Sequence, residues 1–165
     1  TDSITPDAVE AAAPLIADAS LVVVDANLAH ETVAAAVERA SAAGVAVVVD
    51  PVSVPKARRL RPLLTADHPV HTITPNADEL EALTGLPTRR HPEVVDAARS
   101  LTGRGVERVW VRLGSVGSLL VTGDGPAVVV AALSAEVADV TGAGDAMLAA
   151  YCHALLGSNE FLYLP

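Results

Sequence analysis

Short apolar runs alternate with longer Ala-rich stretches through the first two thirds of the chain. The runs Leu21–Asp25 and Val45–Asp50 are apolar up to their final Asp, which is typical of strands buried on both faces of a sheet, and Val70–Thr74 is predicted as a third strand. The stretches between them carry helix signals, such as Pro6 near a first turn and Gly44 directly after a last turn. We predict helices over Asp7–Ala17, His30–Ala43, Pro55–Leu64, Asn76–Thr84 and Pro92–Thr102.

The last third of the chain changes character. Three further apolar runs, Arg108–Arg112, Ser118–Thr122 and Ala127–Ala131, are joined by short Gly-rich links that predict hairpins. A final helix is predicted from about Ala143 to Leu156. Strands that alternate with helices pair in parallel through right-handed crossovers. The sequence therefore predicts an α/β fold: a doubly wound, mostly parallel sheet with helices on both faces and antiparallel strands toward the C-terminal part.

Composition and charge exclude several classes of protein. Apolar residues make up 51% of the 165, which is too many for a disordered chain. A net charge of -9 and an aromatic content of 2% argue against nucleic-acid partners and against a membrane surface. No uncharged stretch reaches the ~20 apolar residues that a membrane span needs. The single Cys152 excludes an internal disulfide framework and a Cys-based zinc site, and a cytoplasmic location is expected.

Ligands of open α/β sheets bind beyond the carboxyl ends of the strands. The residues that follow the predicted strands are therefore the first place to look for chemistry. They are Asp25–Asn27, Asp50–Ser53, Thr74–Asn76 and Leu113–Gly114.

The segment before the last helix is the strongest candidate. Gly142, Ala143 and Gly144 carry almost no side chain, so their backbone N–H groups could approach an anion at a helix start. Asp145 falls in the first turn, where a carboxylate could take a proton from a hydroxyl. The alternative is a Gly-rich turn with Thr141 as N-cap and Asp145 as a first-turn acid. Local rules alone favour that alternative slightly, but they leave two glycines at a helix entrance unexplained.

Three other segments have plain structural interpretations. Asn76 and Glu79 have the spacing of a capping box, and the pattern of Arg112–Gly117 is typical of a hairpin turn. Ser53 could cap a helix, and Lys56, the only lysine in the chain, is expected as a surface or helix-start charge. The five histidines show no metal-ligand spacing.

The segment Asp139–Ala150 (DVTGAGDAMLAA) resembles the C-terminal signature of the ribokinase-like (PfkB) family of sugar and nucleoside kinases. The resemblance implies a ribokinase-like three-layer α/β/α fold and ATP-dependent phosphotransfer. It makes Asp145 the catalytic base and the amides of Gly142, Ala143 and Gly144 the anion hole. It also places Thr141 at the nucleotide and Asp139 near a site for a monovalent cation such as K⁺.

Two further motifs support the resemblance. Asn76 and Glu79 match the family's Asn-x-x-Glu motif, which implies that Asn76 lies at the phosphates and that Glu79 holds Mg²⁺ through water. Arg112, Gly114 and Gly117 match a Gly-rich turn that lies against the ribose and phosphates of the nucleotide. Arg112 stands where the family often has Lys. The implied cofactors are ATP and Mg²⁺, with K⁺ as the monovalent ion.

The segments Asp50–Ala57 (DPVSVPKA) and Thr74–Gly85 (TPNADELEALTG) resemble the pseudouridine-kinase branch of the family. This implies phosphorylation of the 5′-hydroxyl of pseudouridine. A ribokinase- or adenosine-kinase-like activity on another sugar or nucleoside remains an alternative. So does a non-catalytic nucleotide-binding remnant, or a half-domain that needs a partner polypeptide. Family members often dimerise, so a homodimer is one assembly to test.

The resemblance runs from Leu21 to about Gly157 and covers the second half of the family's fold. We therefore expect residues 1–157 to be a partial PfkB kinase domain, with the N-terminal part and the lid missing. Residues 158–165 (SNEFLYLP) are predicted to be an atypical tail, which would arise from an altered reading frame or a truncated gene, or else be a genuine apolar terminus.

Overall fold

The computed structural model describes residues 4–132 and 142–157. The chain divides into two compact units, residues 1–133 and 134–165. The first contains a sheet with its helices, and the second contributes one helix.

The sheet of the first unit has six strands in the sequential order β1-β2-β3-β4-β5-β6. Strands β1 to β4 pair in parallel, and β5 and β6 add in antiparallel fashion. The predicted α/β class, with parallel strands followed by antiparallel ones, is confirmed. The strands are β1 (Val22–Asp25), β2 (Val47–Asp50), β3 (Val70–Ile73), β4 (Val106–Arg112), β5 (Gly117–Thr122) and β6 (Val128–Ala131).

Helices connect the parallel strands, as predicted. Helix α3 packs on β1 and β2, and α6 packs on β4 and β5. Helix α5 ends at Gly85, whose φ of 76° is the left-handed conformation expected for a glycine after a last turn. The helices of this unit are α1 (Pro6–Ala11), α2 (Ala13–Ala17), α3 (His30–Ala42), α4 (Val54–Leu60), α5 (Ala77–Thr84) and α6 (His91–Thr102).

Prolines shorten two of the predicted helices. The single helix expected over Asp7–Ala17 is two helices that meet at Ala12. Pro14 cannot donate a hydrogen bond to the preceding turn, and its ring crowds the carbonyl four residues earlier. Pro62 has the same effect beyond α4, where Arg61–Leu63 forms a 3₁₀ turn instead of a further helical turn.

The core is built from Val, Ala and Leu, as the composition requires. One row crosses four strands: Val49 pairs with Ile73, Ile73 with Val109, and Val109 with Val121. Each of these side chains is at most 1% exposed. A shift of one residue would turn the whole row to the opposite face, so burial fixes the register. The fixed register brings the carboxyl ends of β2, β3 and β4 to one edge of the sheet.

The described part of the second unit is helix α7, Ala143–Gly157, which confirms the predicted final helix. It follows Gly142, whose φ is 74°. Within residues 4–132 and 142–157, no helix is long and apolar enough to cross a membrane.

Candidate active site

The carboxyl ends of three neighbouring strands bring Asp50, Thr74 and Arg112 together. Asp50 ends β2 and is 4% exposed, and Thr74 follows β3 and is 1% exposed. The Thr74 hydroxyl donates to Oδ2 of Asp50 at 3.3 Å. Arg112 ends β4, and its backbone N–H donates to the carbonyl of Pro75 at 2.8 Å. Polar groups thus collect at the sheet edge where the sequence predicted chemistry.

Asn76 and Glu79 form the predicted capping box at the start of α5. Oδ1 of Asn76 accepts from the backbone N–H of Glu79, and Oε2 of Glu79 accepts from the backbone N–H of Asn76, both at 2.9 Å. The Glu79 side chain is only 3% exposed. The box therefore holds a buried carboxylate at the carboxyl end of β3.

Arg112 lies between the two buried carboxylates. Its Nη2 donates to Oε2 of Glu79 at 3.0 Å, and its Nη1 lies 3.5 Å from Oδ2 of Asp50. The Arg112 side chain is 18% exposed, and its buried Nε has no hydrogen-bond partner among the residues that the structure describes. The sequence predicted a cation near phosphates at this position. In the structure that cation neutralises Asp50 and Glu79.

The sequence prediction gave Asp50 no role in the site: it was used only as the residue at the end of a strand and as the first residue of the segment that resembles pseudouridine kinases. The signal was present, because a carboxylate that ends an otherwise apolar, buried strand needs partners. Its Oδ1 accepts from the backbone N–H of Val52 at 2.8 Å. Val52 has a φ of 65°, which is unusual for a β-branched residue and marks local backbone strain. The turn after β2 therefore adopts a strained backbone conformation in which one of its N–H groups donates to Asp50.

Lys56 lies in the first turns of α4 and donates a hydrogen bond to Oδ1 of Asn27. The backbone N–H of Asn27 donates to Oδ1 of Asp25 at 2.8 Å, just past the end of β1. Ser53 occupies the N-cap position of α4, but its side chain makes no capping bond. The only lysine thus ties the start of α4 to the turn that follows β1.

The two glycines of the turn after β4 have different surroundings. This turn is a 3₁₀ turn over Gly114–Val116, longer than a tight hairpin. A Cβ on Gly117 would lie 2.0 Å from the carbonyl oxygen of Val130, so Gly117 permits the close approach of β6. A Cβ on Gly114, whose φ is 59°, would meet no atom of the described residues within 4 Å. Gly117 is therefore required by the packing of β6, whereas Gly114 is favoured only by the left-handed backbone conformation of the turn.

A cleft of about 410 Å³ adjoins this turn. The motif residues Asn76 and Arg112 line it, together with the connection between α5 and α6. The guanidinium of Arg89 makes no hydrogen bond or ion pair with any described residue, whereas Arg90 is paired with Glu93 at 2.6 Å. The full lining is Asn76, Ala77, Asp78, Thr88, Arg89, Arg90, His91, Val94, Arg112, Leu113 and Val116.

The residues predicted to form the anion hole and the base lie at the start of α7, in the second unit. The first bond within α7 runs from the N–H of Ala146 to the carbonyl of Gly142 at 2.9 Å. The preceding N–H groups, including those of Ala143 and Gly144, have no acceptor within the helix. Asp145 is exposed in the first turn. Asp139 and Thr141, the other predicted ligands of this segment, lie outside the described residues.

The donor set at the edge of the first unit suits Mg²⁺. The ion prefers oxygen ligands, keeps several waters, and is usually bound by one or two carboxylates together with phosphates. Asp50 and Glu79 are two buried carboxylates that share one cation, Arg112. Residues 4–132 and 142–157 contain no group of three or more His, Cys, Asp or Glu side chains that could hold a metal by themselves.

Comparison with known proteins identifies the family. The sequence profile of the pfkB family carbohydrate kinases matches residues 1–162. The chain belongs to this family. It is 30% identical over 157 residues to the deoxyribokinase of Salmonella typhi, covering 95% of the chain and 50% of the relative. It is 32% identical over 149 residues to the pseudouridine kinase of Escherichia coli, covering 90% of the chain and 46% of the relative.

Solved structures of the pfkB kinases share the fold. The ribokinase of Arabidopsis thaliana, solved in complex with ribose and ATP, matches with a TM-score of 0.76 at 24% identity. The match covers 92% of this chain and 48% of the ribokinase. The first unit is thus part of a ribokinase-like α/β fold. The chain spans about half the length of the curated pfkB relatives that it matches.

Proposed function

We propose that the chain carries the phosphoryl-transfer part of an ATP-dependent pfkB kinase that phosphorylates the 5′-hydroxyl of pseudouridine. The observation that supports this most is the convergence of Asp50, Glu79 and Arg112 at the carboxyl ends of β2, β3 and β4. Ligands of open α/β sheets bind at this edge. The choice of pseudouridine rests on the segment Asp50–Ala57 and on the similarity to a pseudouridine kinase.

Asp145 acts as the general base in the proposed reaction. The acceptor oxygen forms a bond to the γ-phosphorus of ATP, and the bond from that phosphorus to the leaving ADP oxygen breaks. The proton of the hydroxyl passes to the Asp145 carboxylate, whose exposed first-turn position leaves it accessible. The N–H groups of Gly142, Ala143 and Gly144 donate to the transferring phosphoryl group.

The remaining motif residues hold the nucleotide and its ions. The family resemblance assigns Asn76, Arg112, Gly114 and Gly117 to the phosphate and ribose side of the site, and Thr141 to the nucleotide. When bound, Mg²⁺ would neutralise charge on the phosphates, and Glu79 would hold it through water. The same resemblance assigns Asp139 to a site for K⁺. A cytoplasmic location and a homodimer belong to the same proposal, as does the assignment of residues 1–157 to a partial kinase domain with a separate tail.

A second candidate is kinase activity on a free sugar. The alignment with a deoxyribokinase spans 95% of the chain and so favours a ribokinase-like acceptor. An adenosine-kinase-like activity is the corresponding nucleoside alternative. The third candidate is a nucleotide-binding half-domain without activity of its own.

An acceptor panel separates these candidates. The chain is incubated with ATP, Mg²⁺ and pseudouridine, uridine, adenosine, ribose or deoxyribose, and ADP release is measured. Pseudouridine should give the highest kcat/KM. Equal or faster turnover of ribose or deoxyribose would contradict the nucleoside assignment. ATP binding without turnover of any acceptor would favour the half-domain.

Asp145→Asn tests the base. We expect kcat to fall by roughly 10²–10⁴-fold while ATP affinity stays nearly constant, because the amide cannot accept the proton. Asp7→Asn is a matched control, since Asp7 is also an exposed Asp in a first helical turn. It should leave kcat unchanged. Full activity of the Asp145→Asn variant would disprove the role given to this residue.

A further inference from the structure

Asp50 and Glu79 form a pair of buried carboxylates that needs a cation. Their side chains are 6% and 3% exposed, so water screens the repulsion between their charges only weakly. Two buried negative charges in one site repel each other unless an opposite charge lies nearby. Arg112 supplies that charge from the end of β4, with one terminal nitrogen toward each carboxylate.

The fit of Arg112 to this position is incomplete. Its contact with Glu79 is a hydrogen bond of 3.0 Å, but its contact with Asp50 is 3.5 Å, and its buried Nε finds no partner within residues 4–132 and 142–157. A well-fitted guanidinium makes paired, parallel bonds to one carboxylate and satisfies its remaining donors. Arg112 therefore balances the charge of the two carboxylates without forming an optimised, paired contact with either of them.

We propose that Arg112 holds the place of a divalent cation between Asp50 and Glu79, and that the cation must displace it. This inference rests on the proposed function, because the displacing ion arrives with the nucleotide. In the absence of nucleotide, the guanidinium keeps divalent ions out of the site. The site is therefore selective for a cation that brings phosphates with it.

The displaced side chain has space to enter. Arg112 lines the 410 Å³ cleft together with Asn76, Leu113 and Val116. A guanidinium that leaves the two carboxylates moves into the same cleft that the motif residues surround. There it can pair with phosphate oxygens, for which its planar fork is suited. One movement would exchange a carboxylate partner for a phosphate partner.

Binding of Mn²⁺ alone tests the exchange without any nucleotide. MnCl₂ is titrated into the wild-type chain and into Arg112→Met, and free Mn²⁺ is measured by electron paramagnetic resonance. Arg112→Met should bind Mn²⁺ at least about tenfold more tightly, because a competing positive charge has been removed. Its melting temperature should rise by roughly 3–6 °C when Mn²⁺ exceeds its Kd tenfold. The wild type should show no comparable rise.

Three control variants define the result. Arg112→Lys keeps the charge and should bind Mn²⁺ as weakly as the wild type. The double variant Arg112→Met/Glu79→Gln removes one carboxylate and should lose the tight binding. Arg39→Met removes an arginine outside the cleft, whose side chain is 47% exposed and pairs with Glu10, and it should leave Mn²⁺ binding unchanged.

Two outcomes would overturn the inference. The first is equal Mn²⁺ affinity of the wild type and Arg112→Met. The second is an Arg112→Met chain that stays unfolded with Mn²⁺ present, since the ion would then fail to replace the guanidinium. Folding of this variant only in the presence of Mn²⁺ would support the inference. These results do not depend on turnover, so they can fail while the Asp145→Asn test succeeds, and the reverse.

Discussion

The two ends of the same strands hold their charged residues in different ways. At the carboxyl ends of β2 to β4, the Glu79 side chain is 3% exposed and bonds to Asn76 and Arg112. At the amino ends, the Glu107 side chain is 58% exposed, 3.8 Å from His71 and 3.2 Å from Arg108. One glutamate is enclosed by fixed donors, and the other lies at the surface beside its partners.

The clefts at the two ends of the strands have similar volumes. The amino-end cleft, lined by His71 and Glu107 among others, has a volume of about 340 Å³, against about 410 Å³ at the carboxyl end. The difference is that both carboxylates at the carboxyl end are buried and share Arg112, whereas at the amino end the buried Arg108 (6% exposed) pairs with an exposed Glu107. Burying charge is expensive, and an apolar replacement is often as stable. A network of this kind is therefore better explained by ligand binding than by stability.

Glu79→Ala should have the largest effect on stability. It leaves the largely buried Arg112 with Asp50 as its remaining partner and opens the capping box of α5. We expect a loss of about 3–5 kcal/mol in the free energy of unfolding. Glu107→Ala at the other end should change it by less than about 1 kcal/mol. Urea unfolding of both variants measures the contrast, and equal losses would show that the two ends do not differ.

Gly117→Ala should be the next most damaging change. Its Cβ would lie 2.0 Å from the carbonyl oxygen of Val130, and its φ of 113° is unfavourable for alanine. The strands β5 and β6 must separate, at a cost of about 2–5 kcal/mol. Thermal unfolding followed by circular dichroism measures this. A variant as stable as the wild type would mean that β6 does not approach Gly117 this closely.

Gly114→Ala sharpens the comparison within the same turn. The new Cβ meets no atom within 4 Å in the part of the chain that the structure describes, so only the left-handed φ of 59° opposes it. We expect a loss of about 1 kcal/mol in the free energy of unfolding. If the turn contacts the nucleotide, KM for ATP should rise even though the fold is kept. A loss of stability equal to that of Gly117→Ala would remove the distinction between the two glycines.

The sequence was sufficient to predict the strands and the edge of the sheet at which polar side chains meet. Runs such as Val45–Asp50 are apolar up to the last residue, and the carboxyl ends of parallel strands must share an edge. The capping box of Asn76 and Glu79 could be predicted as well, because its partners are three residues apart. Local sequence patterns were therefore sufficient for the strands and the capping box, which depend on residues close together in the chain.

The ion pairs across the edge could not be predicted in this way. Arg112 reaches Asp50 and Glu79 only because the registers of β2, β3 and β4 align their ends. The requirement for Gly117 arises from β6, a strand that lies further along the chain. These features depend on tertiary distances, for which the sequence contains no spacing signal.

The smallest predicted effect concerns the amino end of the sheet. Burial lowers the pKa of His71 below its ordinary value of 6.5, Glu107 acts to raise it, and Arg108 acts to lower it. Because the folded state favours the neutral imidazole, the unfolded chain takes up the proton first as the pH falls. The stabilising contribution of neutral His71 is therefore present above pH 6.5 and is lost as the pH falls through the lower, folded pKa.

His71→Gln should flatten this part of the stability profile, and Glu107→Gln should steepen it by removing the opposing charge. Melting temperatures between pH 7.5 and 5 measure the slopes, with NMR titration of His71 as the direct check. An NMR pKa above the ordinary value would mean that the attraction of Glu107 outweighs burial, and the two ends of the sheet would then differ less in how they hold charge.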